Sequence, residues 1–273
     1  MKKDQGIRVK EIIAGIAAFA LLILLAVGCN LSRFTRSGNT QVPGTTDNRG
    51  SGTTRSASGQ CDNTYYPVGP NVTRKYHVSY PKGLLSDRDY TESFTDFSGD
   101  TFTVNTDFGT VAAHVKWRCM SEGLLATQYN NSIDVKNSGT SVAVETTDSK
   151  GVTFPNPDKW TPGSTWTAEY HIIENINTSS GKSIGGSKGT VTQDGEVVGP
   201  DEVTVPAGTF QAVKIKITTK LDLIMNIPGA NGMPITTKVE TTAWMVKDTG
   251  MVKSVTNIAG SGDTTSEMTS INK

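Results

Sequence analysis

The sequence predicts an all-β fold, mainly antiparallel: a twisted sheet or an open or half β-barrel, built from two related units with few or no helices. Three observations predict it. Val213, Ile215, Ile217, Thr219, Leu221, Leu223, Met225 and Ile227 alternate with Lys214, Lys216, Thr218, Lys220 and Asp222, a period of two with one face buried and one wet. Charged residues make up only 19% of the chain, and Thr, Ser and Gly are abundant, which suits an exported β protein better than a helical cytosolic enzyme. Finally, two windows repeat. Gly69 to Val78 aligns with Gly163 to Ile172 as G-x-x-[VW]-T-x-x-Y-H-[VI], and Trp117 to Leu125 aligns with Trp244 to Val252 as W-x5-G-[LM]-[LV].

The chain opens with Lys2, Lys3, Arg8 and Lys10, followed by the uncharged apolar run Ile12 to Val27 and the exit Leu25-Ala26-Val27-Gly28-Cys29. A basic start, an apolar core and a small residue before a cysteine describe a lipoprotein signal, residues 1–28, cut before a lipidated Cys29. The competing reading is an uncleaved membrane anchor, since the run is at the low end of what spans a bilayer. Two acyl chains on Cys29, at about 0.8 kcal/mol per buried methylene, make a stable attachment. The membrane is thus the expected first partner. The protein is placed outside the cytoplasm, on the outer face of the cell membrane or, if the host has one, on the outer membrane.

Residues 29–60 are that cysteine and a linker, Asn30 to Gln60, of Ser, Thr, Gly, Asn and Arg with almost nothing to bury. Such a segment cannot offset its ordering entropy and reads as a disordered tether spanning roughly 30 Å. The β-domain is expected over residues 61–273, with units of about 61–150 and 151–273. Strands are expected at Thr101–Thr106, Val111–Cys119, Thr165–Ile173, Gly189–Val198 and Ile235–Val246. Asp194-Gly195 reads as a two-residue hairpin turn, Pro206-Ala207-Gly208 as a tight turn feeding the long strand, and Gly229 to Gly232 as the turn that closes its hairpin.

In each opening strand Val72 or Trp166 shares a face with Tyr76 or Tyr170 and with Val78 or Ile172, leaving His77 and His171 on the other face. Cys61 and Cys119 are an even pair in an oxidising space. Bridged, they close a loop worth about 4 kcal/mol; the alternative is two separate thiols.

The order Tyr65-Tyr66-Pro67, Trp117 with Glu122-Gly123-Leu124, Pro162 to Trp166, Val203-Thr204-Val205-Pro206-Ala207-Gly208-Thr209-Phe210 and Gly250-Met251-Val252-Lys253 resembles a family of bacterial envelope lipoproteins and periplasmic proteins. The resemblance covers nearly the whole globular part, with Val72 departing from the family's usual aromatic. It implies a fold similar to the open β-barrel of the lipoprotein carriers LolA and LolB. It carries over no activity and no catalytic residues, and fold alone does not set function.

With 26 basic and 26 acidic residues overall, and 22 against 24 once residues 1–28 are removed, no charge excess points to nucleic acid. Gly185-Gly186-Ser187-Lys188-Gly189 matches G-x-S-x-G but lacks the strand-turn-helix setting of a nucleophile elbow, and reads as a flexible loop. His77, His114 and His171 have no metal-ligand spacing. The expectation is a non-enzymatic protein with no cofactor, no metal and no catalytic residue. The binding feature is Leu221 to Ile235, where Ile224 breaks the alternation so that Ile224, Met225, Ile227, Met233 and Ile235 form a soft apolar hairpin tip. That hairpin is expected beside an apolar ligand, a lipid for example, on the concave face, or against an envelope protein. The alternative is a structural or assembly partner of an envelope complex with no small ligand.

Overall fold

Period-two patterning runs the length of the domain because every long segment buries one face of a sheet. The computed structural model describes residues 61–82, 85–109, 112–129, 133–135, 140–178, 183–226, 232–258 and 262–273. Cys29, the leader and the tether lie outside these residues. The first half supplies β1 (Thr73–Ser79), β2 (Arg88–Ser98), β3 (Thr101–Asp107), β4 (Ala112–Met120), β5 (Gly123–Ala126), β6 (Ile133–Val135), β7 (Thr140–Gly151) and β8 (Phe154–Pro155). The second supplies β9 (Thr165–Thr178), β10 (Ser183–Val205), β11 (Gly208–Asn226), β12 (Met233–Val246), β13 (Gly250–Ile258) and β14 (Gly262–Asn272). One 3-10 turn, Pro157–Lys159, precedes β9.

The fourteen strands of the described residues form one antiparallel sheet in the order β6-β7-β9-β10-β11-β12-β13-β14-β1-β2-β3-β4-β5-β8. The ladder does not close into a barrel, so the expected all-β open sheet is what forms. β7 and β8 are almost one strand. Gly151 pairs with Ala168 of β9 at one end of the sheet, and three residues later Phe154 pairs with Leu124 of β5 at the other. The two ends meet at that corner.

Two local expectations are corrected. Asp194-Gly195 is not a turn but lies inside the 23-residue β10, paired with Thr167 and Trp166. Gly195 is there for space, because a Cβ would sit 2.1 Å from the Trp166 indole. The stretch Gly185–Gly189 is likewise strand and not loop: β carbons at Gly186 and Gly189 would meet the carbonyl oxygens of Glu174 and Asp222. Glycine there serves close backbone approach. The Pro206-Ala207 turn forms where expected, and β11 and β12 pair as a hairpin, Met225 with Met233, while residues 229–231 of its expected turn lie outside the described residues.

The buried faces make two apolar clusters. One surrounds Cys61 and Cys119 with Tyr66, Phe94, Phe102, Trp117 and Trp160. The other runs through Tyr76, Tyr90, Tyr170, Ile172 and Leu221. The second cluster also holds Val203, Val205 and Val252 with Met251 and Phe210 against them, so the V-x-V-P-A-G-T-F and G-M-V-K blocks meet in space. Ala207 N–H fastens that contact by donating to the carbonyl of Met268 at 3.0 Å.

Candidate functional site

Where the two clusters meet, the sheet leaves a cavity of about 200 Å³. An engineered apolar void of about 150 Å³ admits benzene, and drug-sized pockets begin near 300 Å³, so this space suits one ring or a short chain. Aromatic rings form part of its wall: Tyr66 before β1, Tyr76 on β1, Tyr90 on β2, Trp117 on β4, Phe154 on β8, and Trp166 and Tyr170 on β9. Aliphatic side chains such as Ile215 and Ala243 fill in between them, and Gln128, Gln193 and Thr241 add neutral polar groups.

The rings hold one another. Tyr66 stacks on Trp117 at 5.3 Å and on Phe154 at 4.7 Å, and Tyr76 stacks on Tyr90 at 4.8 Å. Offset stacking of this kind adds about 0.5–1.5 kcal/mol per pair beyond burial and fixes the wall. Most of the tyrosine hydroxyls are spent on protein. Tyr76 donates to Met251 O, Tyr90 pairs with Ser266 Oγ, and Tyr170 pairs with Thr153 Oγ1.

The segment before β1 covers one end of the cavity and is fastened at several points. Cys61 and Cys119 form a disulfide with Cα atoms 5.0 Å apart, tying it to the end of β4. Asn63 Oδ1 accepts from the N–H groups of Tyr65 and Tyr66, and its Nδ2 donates to Pro155 O at 2.9 Å. Asp248 N–H donates to Thr64 O.

One ionised pair stands in the wall. Arg74, with no exposed surface, faces inward in the same row as Tyr76. Its Nη1 meets Glu92 Oε1 at 2.5 Å, its Nε donates to Thr249 O at 2.8 Å, and its Nη2 donates to Pro67 O. The guanidinium also lies 5.0 Å from the ring centres of both Tyr66 and Phe94. Burial opposes the Arg74 charge, but Glu92 and the Tyr76 and Tyr66 hydroxyls outweigh it and hold its pKa above the ordinary value. Burial, then the Glu92 charge, pushes the Tyr66 hydroxyl well above its usual range. Glu92 itself lines the cavity, its side chain 15% exposed, and its Oε2 accepts from Tyr66 Oη at 3.2 Å.

A second buried acid, Glu174, lies on the same face of β9 beyond Tyr170 and Ile172, 1% exposed. Ser187 donates to Oε2, while Oε1 has no hydrogen-bond partner among the described residues. Burial raises its pKa, with the Ser187 bond pulling the other way.

The hairpin singled out in the sequence is a separate feature. Met225 is buried and Ile235 half-buried, Ile224 and Met233 are exposed, and Ile227 lies outside the described residues. None of the four described residues lines the cavity, which reaches β11 at Ile215 and Ile217. Met225 is eight residues beyond Ile217, roughly 25 Å along the strand. His77 and His171 do not gather: both are half-exposed on strands with β10 to β14 between them, His77 beside Asp89 and His171 beside Glu169. Among the described residues no cluster of His, Cys, Asp and Glu could hold a metal ion, and no helix is long and apolar enough to cross a membrane.

Arg74 and Glu92 are the candidate-site residues that sequence reading missed. A signal for Arg74 was present, since period two between Val72 and Tyr76 places residue 74 on the buried face. Glu92 carried none, because its partner is known only from the β1–β2 register that pairs it with Arg74.

An open antiparallel sheet wrapped on an aromatic-lined cavity defines a class of curved β-domains with room for a small guest. The chain belongs to the DUF3108-like family, whose model matches residues 111–267. Comparison with curated proteins finds no match. Among solved structures it is similar to an exported protein of YmcC-like fold from Bacteroides fragilis, at 12% identity over 78% of this chain and 100% of that one, TM-score 0.43. It is also similar to a protein described as a lipoprotein from Parabacteroides distasonis, at 16% identity over 77% and 99%, TM-score 0.46. The hypothetical lipoprotein YmcC from Escherichia coli is similar at 8% identity over 74% and 84%, TM-score 0.37.

Proposed function

We propose that this is a lipid-anchored envelope protein, cut before Cys29 and held on a tether over residues 29–60, whose β-domain binds a small apolar molecule without catalysing a reaction. The leader pattern supports the anchor. The aromatic cavity of about 200 Å³ carries the binding reading. Its volume suits a ring or a chain end rather than a whole lipid. Two measurements test the reading. Mass spectrometry of the purified protein is expected to find diacylated Cys29 at the N-terminus; a chain still carrying Met1 to Gly28 overturns the anchor. Native mass spectrometry from nanodiscs is expected to find a small bound species that is lost in Ala243→Phe, which fills the cavity. A wild-type chain with no such species overturns the binding role.

A second reading, an assembly partner without a small ligand, has its own observation. Paired positions Ile173, Lys188, Ile224 and Pro234 cross the outer face of β9 to β12, with Ile224 44% exposed. Photocrosslinking in cells from position 224 that captures one envelope protein, together with an empty cavity, favours it.

A further inference from the structure

The cavity carries one charge, and that charge bears on what can enter. Among the described lining residues Glu92 is the single acid, and no lysine, arginine or histidine accompanies it. Arg74 neutralises Glu92 from behind but cannot serve a guest. Its three nitrogens each bond one protein partner, Thr249 O, Glu92 or Pro67 O, its guanidinium sits against Tyr66 and Phe94, and it has no exposed surface and does not line the cavity. The Glu92 carboxylate, in contrast, has about four lone-pair sites, of which Arg74 and Tyr66 occupy two. An ionised carboxylate only accepts hydrogen bonds, so a guest must bring a donor. A second carboxylate beside it meets like charge with no cation among the described lining residues to receive it, the side-chain donors there, Gln128, Gln193 and Tyr129 among them, being neutral.

We propose, resting on the binding role above, that the cavity selects small neutral molecules or chain ends carrying a hydroxyl donor set against Glu92, and rejects carboxylate-headed guests of the same size. The site is therefore built against free fatty acids, and its apolar guests are alcohol-like.

The test uses the full lipid-anchored chain in phosphatidylcholine nanodiscs at neutral pH. Trp117 and Trp166 line the cavity, so a bromine entering it quenches their fluorescence. Bromohexanol and bromohexanoate, each brominated at the far end of the chain, are titrated against wild type and Ala243→Phe, with protein-free discs as the partition reference. Saturable quenching by the alcohol, at least about tenfold weaker by the carboxylate and lost for both in Ala243→Phe, is the expected result. Equal or tighter binding of the carboxylate overturns the selectivity and leaves the binding role standing. If neither compound saturates the wild type, or Ala243→Phe is quenched as strongly, the binding role fails and the selectivity with it. Glu92→Gln is expected to bring the two compounds within about threefold. Because that variant strands Arg74 and can fail to fold, the wild-type ratio decides.

Discussion

The two copies of the W-x5-G pattern look alike in sequence and sit on opposite faces of the sheet. Trp117 points inward, stacked between Tyr66, Phe102 and Phe154 on the cavity wall. Trp244 points outward, where its Nε1 donates to Asp201 Oδ2 at 2.9 Å and Lys214 and Lys253 lie over its ring. The spacing to the glycine is the same, but it is spent differently. β4 ends at Met120 and pairs it with Gly123 across two connecting residues. β12 ends at Val246 and pairs it with Gly250 across three, with a bulge at Trp244/Met245. One residue moved from strand to turn reverses the face of the tryptophan. The opening windows differ in the same spirit, for Arg74 occupies the buried position that Ala168 fills in the second copy. A shared motif thus fixes where a strand lies and not what its side chains do.

Substitutions can break this contrast. Arg74→Ala leaves Glu92 without its partner and frees the Pro67 and Thr249 carbonyls, and it is expected to cost about 3–5 kcal/mol in urea unfolding. Trp117→Ala removes a ring from the wall and is expected to cost a similar 3–5 kcal/mol, roughly. Trp244→Ala loses a part-buried hydrogen bond, cation contacts and some packing of a half-buried ring, about 1–2 kcal/mol; equal costs for the two tryptophans would erase the distinction between faces. Reducing the Cys61–Cys119 bridge, which spans 58 residues, is expected to cost about 4 kcal/mol and to free the segment bearing Tyr66. Circular dichroism with and without reductant reads that loss.

Gly250→Ala sets a Cβ 2.9 Å from Arg74 Cζ at a φ of +101°, and Gly123→Ala sets one 2.2 Å from Phe154 O at +145°. Each is expected to cost about 1–3 kcal/mol, with Gly123 the worse because its obstacle is backbone. The smallest effect is a pH slope. The pKa of Glu174 is raised above 4.5 by burial, so the native state holds this proton more tightly than the unfolded chain. Its contribution is full below the unfolded value and is lost as pH rises through the folded one. Glu174→Gln is expected to remove that slope from stability measured against pH.

The strands were legible because alternation is local. The run from Val213 to Met225 lies in β11, and the opening strands bury Tyr76 and Tyr170 as their parity requires. Asp194-Gly195 misled because Asp-Gly signals a turn only where no neighbour needs the space, and Trp166 needs it. The cavity was not legible. Its walls come from segments as distant as Tyr66 and Met251, and no spacing along the chain records which strands the sheet brings face to face. The apolar hairpin at Ile224 was visible for the opposite reason, since all of its signal lies in one short stretch.

The corner between β7 and β8 bears on aggregation. A sheet this wide would ordinarily offer two rows of unpaired backbone groups to any passing chain. Here one stretch of polypeptide serves as neighbour to both β9 and β5, with Val152 N–H donating to Thr167 O on one side and Thr153 N–H to Leu124 O on the other. Gly151 permits the crossing, because a Cβ there would lie 2.0 Å from Thr167 O. Much of the edge backbone at that corner is therefore occupied by the molecule itself and is not open to strand pairing by a second copy.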